Sequence, residues 1–440
     1  MTDARGPLLN GADRFMLNRA RTQRQATGLV LDFSGPAPPT EALRERLAER
    51  APLIGPLRYV TPAADGPSWR RPRWRPAGGP FVPARHLRVR EHADPVAALD
   101  EVMRAPLPGG EVPPWDLWLL RSSTAADRFR LCFRVHHALQ DGVGAAHSTL
   151  DLLDDQGPGG SPGPWSYPPG RPTARGALRV LGDLGRSYRP AGGWEALRPP
   201  VPGPTRIVHA DVPEALLREA ARGWGVSVND LCLAGLARAL RGEWPGPGAG
   251  AGPPATLPVQ VPMSLRGADE RSAPGNLTAL FRLELPVGAD DLAQAVRRVG
   301  AATGAFRDTR LRDVARVASA VSPYAVTEWT GHRLADPRAL PLIASSLTLP
   351  GAVAAFGAWL VGGAVFYDPW FPLGAYVSFT RAGGVVRCAV VHARSASAVR
   401  TLPERWAREL YESLTGVPRP PWPSRPRRVV TPRWYERPSS

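Results

Sequence analysis

The sequence predicts an α/β protein (α+β in the two-layer sense) built from two comparable units, and three observations carry this. Its 440 residues exceed one ordinary domain. Short runs with period-2 apolar alternation interleave with helical runs along the whole chain. The stretch GPGGSPGPWSYPPGRPTAR at 157–175 is too rich in Pro and Gly for regular structure, and it separates two halves that each repeat the alternation. The expected divisions are a first unit at 1–156, a linker and crossover at 157–204, a second unit at 205–416 and a Pro/Arg-rich tail at 417–440. No repeat with a solenoid or propeller period is present.

In the first half, 26–33 reads as a strand and 41–50 as a charged amphipathic helix after Pro39 and Thr40. A Pro-rich loop at 61–80 precedes a second helix at 95–104. Strands follow at 115–120 and 129–135. The latter alternates Phe129, Leu131, Phe133 and Val135 against Arg130, Cys132, Arg134 and His136. A helix is expected at 143–153. The second half offers a short strand at 207–211, a helix at 213–224 with Pro at its first turn, and a helix to about 241 capped by Ser227. A second loop, PGPGAGAGPP, leads to strands at 257–264 and 277–285. Two helices come next, then strands near 374–380 and 385–391. A last helix from Pro403 buries Trp406, Leu410 and Leu414 at i, i+4 spacing.

The net charge of +16 and pI near 11 first suggest an anionic partner. All 55 basic residues are Arg, beside 51 Pro and 45 Gly, a composition that a GC-rich genome produces on solvated faces. Nucleic-acid binding needs basic residues clustered with stacking aromatics, whereas these are scattered except at 70–75 and at Arg425, Arg427 and Arg428. No nucleic-acid partner is predicted; an anionic membrane surface or a polyanionic co-substrate fits better. Cys132, Cys232 and Cys388 lie in separate apolar runs, as buried free thiols of a reducing cytoplasm do. The N-terminus lacks a signal-peptide core. The most apolar stretch, 351–366, is shorter than the roughly 20 residues that span a bilayer, so it reads as buried strand and turn. The expected location is the cytoplasm, with peripheral contact at the inner membrane face.

The strand at 129–135 runs into His136, His137, Ala138, Leu139, Gln140, Asp141 and Gly142, an HHxxxDG arrangement. With this composition, its four fixed positions arise by chance with a probability on the order of one in a thousand. Consecutive strand side chains face opposite ways, so one histidine faces a cleft while the other packs behind it. For the same reason the pair cannot chelate one metal ion, and no Cys or carboxylate cluster has ligand spacing; no metal is predicted. A neutral imidazole at a cleft suits general-base work, and a thioester acyl donor removes the need for a serine nucleophile. Gly142 is read as the residue that takes a positive φ in the turn after the strand. Two other motifs lead nowhere. The G-x-S-x-G match at 159–163 has no strand before it, and WRRPRW at 69–74 reads as cation–π packing on a loop.

This segment resembles the HHxxxDG motif of the wax ester synthase/diacylglycerol acyltransferase family, within the wider superfamily of chloramphenicol acetyltransferases and peptide-synthetase condensation domains. Other stretches resemble that family in the same order. They are LNGADRFM at 9–16, Pro113-Pro114-Trp115-Asp116 before the histidine strand, Val228-Asn229-Asp230, and Val261-Pro262-Met263-Ser264-Leu265-Arg266 followed by Gly275-Asn276. The likeness covers roughly 9–415. It implies two chloramphenicol acetyltransferase-like subdomains with a substrate tunnel between them. His137 is then the general base that deprotonates an acceptor hydroxyl for attack on acyl-CoA. His136, Asp141 and Gly142 complete the motif. Asp141 is implied to pair with an arginine, for which Arg266 is the candidate. Trp115, Asn229, Asp230 and Asn276 are implied to support the site, although Asn229 and Asp230 also read as a helix cap and Asn276 as a turn residue.

The sequence departs from the family at 345–351, SSLTLPG, where a Ser-Asn-x-Pro-Gly-Pro block is usual, and Asp116 stands where Glu is common. The expected activity is transfer of a long acyl chain from acyl-CoA, as co-substrate rather than cofactor, to an alcohol or diacylglycerol. The departures keep two alternatives open: a tailoring acyltransferase of secondary metabolism, and a silent lipid-binding relative. Contact with a membrane or lipid droplet is a further expectation of the resemblance.

Overall fold

The computed structural model describes residues 6–21, 24–62, 72–159, 169–186, 205–241, 254–271, 273–334, 336, 341–368, 375–396 and 399–416. The tail at 417–440, residues 160–163 of the G-x-S-x-G match at 159–163, most of the second Pro/Gly loop and the strand start at 374 lie outside them.

The strands are β1 (Ala26–Ser34), β2 (Tyr59–Val60), β3 (Arg75–Pro76), β4 (Leu87–His92), β5 (Trp115–Ser122), β6 (Arg128–His136), β7 (Thr205–Pro213), β8 (Leu257–Ser264), β9 (Thr278–Leu285), β10 (Leu342–Thr348), β11 (Ala354–Ala355), β12 (Ala358–Tyr367), β13 (Ala375–Ala382) and β14 (Val385–Ala393). The helices are α1 (Gly11–Ala20), α2 (Thr40–Arg50), α3 (Pro95–Arg104), α4 (Gly142–Leu153), α5 (Ala174–Arg186), α6 (Glu214–Gly223), α7 (Val228–Arg241), α8 (Leu292–Asp308), α9 (Leu311–Val321), α10 (Tyr324–Leu334) and α11 (Leu402–Thr415). None among the described residues is long and apolar enough to cross a membrane.

Two six-stranded mixed sheets form the frame, in the orders β11-β12-β1-β6-β5-β4 and β7-β14-β13-β10-β8-β9. Each has its own hydrophobic core: Trp115, Trp118, Phe133 and Phe366 belong to the first, Leu233, Leu283, Phe379 and Trp406 to the second. The sheets do not follow the division at 205–416. β12 leaves the second half and pairs antiparallel with β1, with Thr27 opposite Tyr367 and Gly28 opposite Phe366. The physical reason is the apolar run itself, which folds as β11, a turn and β12 and needs burial on both faces. Side chains of β13 then stitch the sheets together: Val365 N–H donates to Thr380 Oγ1 (3.0 Å) and Ser378 Oγ donates to the Val365 carbonyl (2.7 Å). Arg387 on β14 adds a buried ion link, reaching both Asp211 on β7 and Asp32 on β1.

Other expectations need correction. Within the linker and crossover at 157–204, α5 begins at Ala174, so the irregular stretch stops short of Arg175; α5 packs on α9, sets Arg179 over the Phe306 ring of α8, and follows Thr173, whose Oγ1 donates to the Thr309 carbonyl at 2.8 Å. Pro213 closes β7 and stands before α6 instead of opening its first turn. Three helices, not two, follow β9; Arg310, at φ 50°, divides α8 from α9. Trp74 is fully buried and its backbone N–H is bonded to the Pro7 carbonyl, so it is core, while 69–71 lie outside the described residues.

Candidate active site

β6 ends at His136 because the chain turns there. The Leu139 N–H bonds the His136 carbonyl (2.8 Å) and α4 starts at Gly142, capped by Asp141 through Gly144 N–H (2.8 Å). This strand–turn–helix unit delivers two histidines into different surroundings. The His136 ring accepts the Ala138 N–H at Nδ1 (3.1 Å), and burial with the neighbouring His137 lowers its pKa to about 4. It stays neutral and packs behind the turn.

His137 lies one residue beyond the strand, with its N–H bonded to the Gln25 carbonyl (2.7 Å). Its ring stands edge-on to Tyr367 of β12, centroids 4.8 Å apart, and the Asn276 amide meets Nδ1 at 3.2 Å. Tyr367 is itself held by Gln25, whose Oε1 accepts the phenol hydroxyl (3.1 Å). Burial lowers the His137 pKa below 6.5, while the backbone carbonyls of His137 and Gln140 and the charge of Asp141 work the other way.

Asp141 does not touch the imidazole. Its carboxylate meets Arg266, with Nε at 3.2 and 3.1 Å from the two oxygens and Nη2 at 3.0 Å, and it also accepts the Leu277 N–H (2.8 Å). Both partners are 1% exposed. Burial alone would raise the Asp141 pKa, but Arg266 and the two backbone donors outweigh it and hold the carboxyl below its usual range. Arg266 spends its remaining donors on the carbonyls of Glu270 (2.9 Å), Ala273 (2.8 Å) and Gly275 (2.7 Å). The motif of one sheet is thereby bolted to the β8–β9 connection of the other. Gly275 completes the link by donating to the Leu139 carbonyl (2.6 Å).

Gly142 is not the glycine this turn requires. Its φ is not positive, and a Cβ there would meet nothing nearer than Val365 Cγ1 at 3.9 Å. Gly144 is the constrained position, since a Cβ would stand 2.8 Å from Arg266 Nη2 and 3.2 Å from its Cζ. Gly144→Ala is expected to lose about 1–3 kcal/mol by overpacking against the guanidinium. Gly142→Ala should melt with the parent protein in the same denaturant titration, and equal losses in both variants would refute this assignment.

The remaining candidates sit away from His137. Asp230 and Ser227 cap α7 reciprocally (3.1 and 2.9 Å), and Thr303 Oγ1 donates to Asp230 at 2.7 Å, so this pair joins α7 to α8. Asn229 Oδ1 is buried with no hydrogen-bond partner among the described residues. Trp115, the first residue of β5, is fully buried, stacked on His86 (4.1 Å) with Nε1 donating to the Leu57 carbonyl (3.0 Å), and it ties the start of the strand to the segment before β2. Asp116 forms a buried pair with Arg134 on β6. Sequence reasoning missed Gln25, Tyr367 and Asp13. The first two had no signal beyond lying at strand ends; Asp13 lay inside the LNGADRFM block, with no role attached. Among the described residues no three His, Cys, Asp or Glu side chains converge as a metal site.

Residues 9–194 match the wax ester synthase/diacylglycerol acyltransferase catalytic domain. A Mycobacterium tuberculosis protein named as a candidate diacylglycerol O-acyltransferase is 38% identical over 104 residues, 24% of this chain and 20% of that protein; the matched segment thus spans about a fifth of that relative's length. The fold is similar to that of the wax ester synthase/diacylglycerol acyltransferase of Marinobacter aquaeolei VT8 (TM-score 0.63, 17% identity, 92% of this chain and 98% of the other). It is also similar to the first condensation domain of the calcium-dependent antibiotic synthetase with a substrate analogue (TM-score 0.61, 18% identity, 93% and 96%). The starter condensation domain of rhizomide synthetase, a mutant in complex with C8-CoA and Leu-SNAC, gives a TM-score of 0.60 at 14% identity, over 93% and 94%.

Proposed function

We propose that this chain, which over residues 9–194 belongs to the wax ester synthase/diacylglycerol acyltransferase family, is an O-acyltransferase that moves a long acyl group from acyl-CoA to an alcohol or diacylglycerol hydroxyl. The observation that carries the reading is His137 itself: the Asn276 amide meets its ring at Nδ1, and burial depresses its pKa so that the imidazole is neutral. A base of this kind is neutral at working pH and ready to accept one proton.

In the proposed reaction, the acceptor hydroxyl gives its proton to the His137 imidazole as its oxygen bonds to the thioester carbonyl carbon. The tetrahedral intermediate then expels sulfur, and the imidazolium returns the proton to the departing thiolate, leaving ester and free CoA. Asp141 plays no part in the proton transfer; its bond to Arg266 fixes the turn that presents His137. His136, half-buried and neutral, belongs to the frame. CoA is a co-substrate carrying phosphates, for which the arginine-rich chain offers charge.

The condensation-domain likeness supports a second reading, in which the acyl donor is a short thioester and the acceptor a small hydroxyl or amine. Thiol release from palmitoyl-CoA by purified protein, with and without hexadecanol or diacylglycerol, separates the two. Release that needs the lipid acceptor supports the neutral-lipid reading. Release only with short donors and polar acceptors overturns it.

A further inference from the structure

We infer that Asp13, through Asn276, positions the His137 imidazole, so that the N-terminal turn of α1 is a working part of the site. The inference deepens the acyltransfer reading and rests on His137 being its base.

Asn276 is gripped on both sides of its backbone by the cap of α1. Asp13 Oδ1 accepts the Asn276 N–H at 2.6 Å, and Asn10 Nδ2 donates to the Asn276 carbonyl at 3.0 Å. Asn10 and Asp13 hold one another through a capping box, Asp13 N–H to Asn10 Oδ1 (2.9 Å) and Asn10 N–H to Asp13 Oδ2 (3.0 Å). With that peptide fixed, only side-chain torsions separate Asp13's anchor from the 3.2 Å contact between the Asn276 amide and Nδ1. The approach is close enough to need glycine beside it. Gly275 has φ 99°, and a Cβ there would stand 2.8 Å from Asp13 Oδ2.

Capping alone does not explain the choice of residue. Asp13 is 1% exposed, and burial raises its pKa to about 7 against the two backbone donors and the charge of Arg266. A glutamine at this third helical position closes a capping box without burying a carboxylate. What the carboxylate adds is a second acceptor oxygen, so that one side chain holds the helix start and Asn276 together. Asp13 is a positioning residue in this account, since it touches neither the imidazole nor any reacting atom.

The test reads the His137 ring without substrate. The full chain, labelled with ¹⁵N-histidine, is titrated by NMR, the His137 signals being assigned by their loss in His137→Gln. In Asp13→Ala and Asn276→Ala the ring is no longer held, and its midpoint should move up toward the roughly 6.5 of a free imidazole. The double variant should move no further than Asn276→Ala alone. Phe15→Leu, which weakens α1 at its buried face, should lower Tm and leave the midpoint unchanged. Asp13→Asn, which keeps one acceptor oxygen, supplies the measurement should Asp13→Ala fail to fold, and its midpoint should lie between parent and Asn276→Ala. In turnover, the Asp13→Ala and Asn276→Ala variants should lose kcat roughly tenfold with KM retained, as expected of misorientation. An Asp13 variant titrating like the parent, or shifts that simply add, would overturn the inference. A parent inactive toward every thioester would overturn the acyltransfer reading and leave the ring titration to be judged by itself.

Discussion

Replacing His137 with alanine is expected to lower kcat/KM for acyl transfer by about 10²–10⁴-fold, the usual span of a general base, while Tm falls little. The two effects separate because of where the ring sits. It packs edge-on against Tyr367 and meets the Asn276 amide, but the turn behind it is held by backbone bonds from Gln25, His136 and Leu139 that alanine leaves intact. The pH profile carries the same argument further. Burial disfavours the imidazolium, so the folded pKa lies below 6.5 and the reactive neutral form persists as pH drops through that value. The acid limb of kcat/KM should therefore fall below 6.5, and the residual rate of the alanine variant should show no such limb. A parent limb at or above 6.5 would assign the base role to another group; equal rates in parent and variant would remove His137 from the chemistry.

The parts of this site that the sequence made legible are those set by short spacing. His136, His137 and Asp141 fall within six residues, and a strand that must stop before a capped helix leaves little freedom in where they point. Arg266 was reachable only through the resemblance, since nothing local distinguishes it among 55 arginines. Asp13 was not reachable at all, because its bond to Asn276 joins residues 263 positions apart. The same separation hid Tyr367: its strand crosses into the first sheet, and a run apolar on both faces states that it is buried without stating against which partner. Gly142 and Gly144 mark the opposite limit. Both glycines open α4, and only the position of the Arg266 guanidinium reveals which one cannot carry a side chain.

Breaking the pair behind the histidine should affect stability more than any other single change in the site. Arg266→Met strands a buried carboxylate and three carbonyls, those of Glu270, Ala273 and Gly275. Asp141→Asn sets an amide against a guanidinium that has lost its countercharge. Each is expected to cost about 3–5 kcal/mol, as loss of one member of a buried ion pair does, and to lower kcat because the same bonds seat the turn at His137. The double variant Asp141→Asn/Arg266→Met should lose less than the sum, since neither charge then remains unpaired; denaturant titration of the four proteins gives the coupling directly. The parent's acid sensitivity follows the same logic. Because the folded Asp141 pKa lies below its unfolded value of 3.8, the pair's contribution is present above that pH and is lost as pH falls through the folded value. Arg266→Met should therefore remove that part of the parent's acid dependence along with its stability at neutral pH. Additive losses, with acid unfolding unchanged in shape, would show that Asp141 and Arg266 stand side by side without depending on one another.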